Sequence, residues 1–103
     1  MSGAVWLNGS FVDRAEARVG AFDAGMQHGV GLFETMLARG SDVVDLGRHL
    51  DRLRDSAKAL RLSDDLRTPA LAEAVSAVVE KAGLATARVR LTLTGGDLNL
   101  LSG

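Results

Sequence analysis

A chain of 103 residues has room for one small domain with a core, and not for a second. Apolar residues at 47% and charged residues at 24% are ordinary globular values, and a formal net charge of −1 gives no footprint for nucleic acid or an acidic membrane surface. The absence of cysteine excludes disulfides, thiolate catalysis and cysteine–zinc sites, and His28 and His49 have no carboxylates at a spacing that would complete a metal site. The start, Met1-Ser2-Gly3-Ala4, lacks a basic segment followed by an apolar run, and no stretch approaches membrane-spanning length. The expectation is a soluble, cytoplasmic protein.

In chain order, the first signal is a hairpin. Ala4 to Leu7 and Ser10 to Asp13 flank Asn8-Gly9, a dipeptide that tolerates the positive φ angles of a type I′ turn. Val19 to Phe22 reads as a short strand ending at Asp23. A glycine-rich loop follows, carrying Gly25, Gly29 and Gly31 straight into a strand over Leu32 to Arg39. Gly40-Ser41-Asp42 reads as a turn, and Val43-Val44 as the short partner strand.

Asp45 is the expected N-cap of a helix over about Leu46 to Leu62. Leu46, Leu50, Leu53, Ala57 and Leu60 step by fours and threes along one apolar stripe, and His49, Arg52 and Ser56 share one flank of it. A second helix is punctuated by Thr68 as cap, Pro69 at the first helical position and Gly83 after the last turn. Ala87, Val89, Leu91 and Leu93 then alternate with Arg88, Arg90, Thr92 and Thr94 as a half-buried strand. The fold class is α+β: an antiparallel sheet with two helices packed on one face. After Gly95-Gly96 come three leucines, Leu98, Leu100 and Leu101, with no further element to bury them, so a chain cut in mid-course is expected.

Singly, the polar residues of this pattern have plain readings. The loop is neither a Walker loop, since no Gly-Lys-Ser/Thr follows, nor a dinucleotide fingerprint, since it precedes a strand. Arg52 reads as a solvated helix residue, His49 as the partner of a backbone carbonyl, and Phe33 as core. Glu34 reads as a residue of the strand's polar face, and Arg88 with Arg90 as a solvated or interface face.

In combination they carry more. Asn8-Gly9, Asp23 with Gly25, Gly29-Val30-Gly31-Leu32-Phe33-Glu34-Thr35, and His49-Leu50-Asp51-Arg52-Leu53 with Ser56-Ala57 follow one another with characteristic gaps. Over nearly its whole length the chain resembles the N-terminal small domain of the class IV aminotransferases. These fold-type IV pyridoxal-phosphate enzymes include branched-chain and D-amino-acid aminotransferases and aminodeoxychorismate lyase.

The resemblance implies that Arg52 binds the cofactor phosphate, and that Phe33, Thr35, Leu37 and His28 lie on the substrate side. It also implies amino-acid and keto-acid substrates, and a homodimer whose large domain completes the site. Val30 stands where the family has an acid, and Thr94-Gly95-Gly96 lacks the family's arginine. The Schiff-base lysine belongs to the large domain, absent from residues 1–103, and Lys58 and Lys81 are the only lysines here. No catalytic residue is therefore expected in this stretch, which should be inert by itself. The related lyase and a non-catalytic binding or assembly domain stay open beside the transaminase.

Overall fold

The structure, a computed structural model, describes residues 3–96; the apolar tail from Asp97 to Gly103 lies outside them. Asn8 and Gly9 turn the chain at φ 49° and 99°, the two positive values a type I′ turn requires. They join β1 (Val5–Leu7) antiparallel to β2 (Ser10–Val12), with Trp6 opposite Phe11. A single 3₁₀ turn at Arg14–Glu16 follows.

The segment Val19 to Phe22 is not the expected strand. The Asp23 N–H donates to the Gly20 carbonyl at 3.1 Å and closes a turn, which leaves Val19 and Phe22 exposed. Nor is the glycine-rich stretch a plain loop. It holds α1 (Ala24–His28), capped at its start by Asp23, which accepts the Gly25 N–H at 2.8 Å. Gly29 ends it in the left-handed conformation, a stop that residues with a Cβ resist.

β3 (Gly31–Arg39) turns at Gly40 into the two-residue β4 (Asp42–Val43). α2 (Leu46–Ala59) starts at Leu46 as expected but stops short of Leu62. Asp45 precedes it in the left-handed region, φ 55° and ψ 33°, and its side chain makes no capping bond. At the other end the Leu62 N–H reaches the Ala57 carbonyl at 2.8 Å, and the Arg61 N–H reaches that of Lys58 at 3.1 Å. This is a Schellman ending with Arg61, φ 59°, in the place glycine usually takes. Leu60 thus leaves the stripe and is exposed. α3 (Thr68–Ala82) takes Arg67, not Thr68, as its cap residue, with Thr68 and Pro69 already helical and Gly83 ending it as expected.

β5 (Thr86–Thr94) returns antiparallel to β3 through nine residue pairs, giving the sheet order β4-β3-β5. Strand alternation decides what each face holds. Met36 and Ala38 of β3 and Val89 of β5 point inward against Val75 and Val79 of α3, with Val43 and Leu46 closing the cluster. Leu50, Leu53 and Ala57 bury the facing stripe of α2. Both helices therefore cover the same face, which is the α+β arrangement expected. The outer face keeps Phe33, Thr35 and Leu37 alongside Thr92, Arg90 and Arg88, all exposed. No helix among the described residues is long and apolar enough to cross a membrane.

Candidate functional site

Glu34 shares its strand parity with Met36 and Ala38, so its carboxylate points to the helix-covered face and not to the polar one. It is 7% exposed, and a carboxylate this far out of water needs partners. α2 supplies two from one flank. His49 Nδ1 lies 2.6 Å from Glu34 Oε1, Arg52 Nη2 donates to the same oxygen at 2.6 Å, and Arg52 Nε donates to Oε2 at 3.0 Å. An ionised carboxylate only accepts, so Nδ1 of His49 carries the hydrogen and Nε2 is left as its free edge. The arginine contact is the two-pronged fork that fixes a guanidinium in orientation as well as place.

The electrostatics follow the geometry. The Arg52 hydrogen bond holds the Glu34 carboxyl below its ordinary value; burial works against this, and His49 adds to it. Arg52 is pushed further above its already high value by the same carboxylate. The pair is ionised across the physiological range.

Only part of the arginine is used by Glu34. Its side chain is 65% exposed, against 8% for Glu34 and 22% for His49. Two of its five N–H groups are engaged, and about three remain on the outer edge, where they can meet an anion. The other expected residues are placed as follows. Phe33, Thr35 and Leu37 stand together on the outer face, and Phe33, 58% exposed, is not the core residue its hydrophobicity implied. The Arg90 guanidinium lies over the Phe33 ring at 4.3 Å and donates from Nε to Thr92 Oγ1 at 3.3 Å. His28, exposed at the end of α1, is not joined to this face by any hydrogen bond or ion pair among the described residues. Glu34, central to the site, escapes a reading of motifs; counting parity from Met36 and Ala38 finds it.

The family model for amino-transferase class IV matches residues 31–101, and the chain belongs to that family. Among curated relatives, a provisionally named branched-chain-amino-acid aminotransferase of Methanocaldococcus jannaschii is 39% identical over 98 residues, 93% of this chain and 34% of that protein. The crystal structure of the Escherichia coli branched-chain amino acid aminotransferase superposes with a TM-score of 0.84 at 29% identity, over 94% of this chain and 33% of that one. A hypothetical aminotransferase from Mycobacterium tuberculosis in its PLP-bound form gives 0.82 at 27% identity, over 94% and 35%. The chain thus spans about a third of the length of the Methanocaldococcus jannaschii relative and of the branched-chain aminotransferases of enteric bacteria that it matches.

Proposed function

We propose that residues 1–103 form the small domain of a pyridoxal-phosphate-dependent aminotransferase that moves an amino group between an amino acid and a 2-keto acid. The large domain would come from the rest of the polypeptide, and the enzyme would work as a cytoplasmic homodimer. The observation that carries this reading is the Arg52 guanidinium, locked by Glu34 at 2.6 and 3.0 Å yet 65% exposed. A phosphate asks for N–H donors of fixed direction, and a pre-oriented arginine offers them with little ordering cost on binding. Glu34 cancels the arginine's formal charge, so what Arg52 brings is mainly direction. His49 keeps Glu34 from swinging away. The donor set therefore fits the cofactor's phosphate.

When bound, pyridoxal phosphate supplies the electron sink for bonds broken at an amino acid's α-carbon. The reactive amine is not offered by this chain: Lys58 is exposed in the last turn of α2, and Lys81 lies over the Phe11 ring at 4.9 Å. Phe33, Thr35 and Leu37 form one wall of the substrate side, and His28 would approach it from the end of α1. Phe33 and Leu37 are apolar and exposed there, at 58% and 40%. They fit an amino acid with an aliphatic side chain, in line with the branched-chain names of the relatives.

The test is Arg52→Ala in the longer polypeptide carrying this domain. Retention of pyridoxal phosphate, followed by absorbance through dialysis, should weaken at least about tenfold, the scale of a lost charge-assisted contact. Undiminished retention would leave Arg52 as a partner of Glu34 and nothing more.

A further inference from the structure

At the end of the sheet nearest Phe33, three segments meet through small groups. Thr94 Oγ1 donates to Asp23 Oδ2 at 3.0 Å, while Asp23 Oδ1 accepts the Gly25 N–H at 2.8 Å. Thr94 Oγ1 in turn accepts the Gly96 N–H at 3.2 Å. Backbone bonds run alongside, Ala24 N–H to the Gly96 carbonyl at 2.7 Å and Gly95 N–H to that of Val30 at 3.3 Å. The packing allows no side chain at two points. A Cβ on Gly25 would stand 2.8 Å from Thr94 Cγ2, and one on Gly31 would stand 2.9 Å from the Leu93 carbonyl oxygen. Asp23 and Thr94 also wall a cleft of about 450 Å³ shared with Thr92, the residue paired with Phe33.

We propose that Asp23 and Thr94 are positioning residues. Their bond holds α1 against the end of β5, and so sets where His28 and the turn into β3 stand at the mouth of the outer face. The clasp links residues 71 apart in sequence and fixes two elements that, among the described residues, otherwise meet through backbone and van der Waals contact. Among the described residues it shares no hydrogen bond with Glu34 or Arg52, so in this proposal it acts on substrate access and not on the grip on phosphate. The functional half of this proposal rests on the outer face being the substrate side.

Thr94→Val keeps the shape and removes the hydroxyl; Thr94→Ser keeps the hydroxyl. In the 103-residue chain, amide exchange at Gly25 and Gly96 should speed up by about tenfold in Thr94→Val and return toward wild type in Thr94→Ser. The ladder amides of Met36 and Val89 should keep their rates. In the longer polypeptide, Thr94→Val should raise KM for the amino donor about tenfold with pyridoxal phosphate retention unchanged. Unaltered exchange at Gly25 and Gly96, or equal acceleration through the whole sheet, would refute the clasp. An unaltered KM would refute its role at the mouth. A wild-type polypeptide that retains no cofactor would instead refute the aminotransferase reading, and the exchange rates would still decide the clasp.

Discussion

Glu34 ties folding to the site through a single carboxylate. Its pKa is lowered from the ordinary 4.5, chiefly by the Arg52 hydrogen bond, so the unfolded chain binds a proton at a higher pH than the folded one. The stabilisation is therefore full above the unfolded value and fades as pH falls through the lower, folded one. Glu34→Gln removes that dependence and releases Arg52 from its fork. The variant should be less stable than the wild-type chain at neutral pH, with the gap closing below about pH 4 as both states protonate in the wild type. Denaturation midpoints taken from pH 7 to pH 3 check this, and a gap independent of pH would contradict it. Neither His49 nor Arg52 revealed this pairing in the sequence beyond sharing a flank. Their partner lies 15 and 18 residues away, and its burial depends on which face two helices choose to cover.

Among the elements, β3 has two faces that do different work. Met36, 1% exposed, sits against Val75 and Val79, while Thr35 beside it looks outward. Met36→Ala should cost about 2–5 kcal/mol of stability and Thr35→Ala within about 0.5 kcal/mol, read from urea midpoints at constant slope. Comparable losses at the two positions would mean the outer face is packed. Where an element was legible, its hydrophobic period ran long enough to show. β5 and the apolar stripe of α2 are of that kind, whereas the Asn8-Gly9 turn and Gly83 were legible as residues that accept positive φ angles. α1 was not legible, because five residues with a glycine among them hold no period. The end of α2 was hidden for another reason: an arginine took the left-handed position, and only long-range packing selects that over one more turn. Val19 to Phe22 had strand-forming residues, but the turn closed by Asp23 and Gly20 claimed the backbone.

For the molecule as a whole, a sheet covered by helices on one face and open on the other leaves a face for a second domain to complete, as the proposed function requires. Phe33 and Leu37 remain exposed, and the two lysines lie on the helices, one against Phe11. The isolated 103-residue chain, given pyridoxal phosphate with an amino donor and a keto acid, should show no turnover above the free cofactor in a coupled assay; turnover would mean that the chemistry needs no second domain. α2 carries a further consequence, because one rod bears both the buried leucines and the arginine. The Arg52 tip stands roughly 9 Å from the axis of that rod, so a roll of about 10° would sweep it sideways by about 1.5 Å, beyond the tolerance of a hydrogen bond. Leu50, Leu53 and Ala57 are thus the bearing on which the arginine lever is calibrated. Under the proposed phosphate role of Arg52, shaving one of them should detune the anion grip from underneath, without touching any atom of the guanidinium.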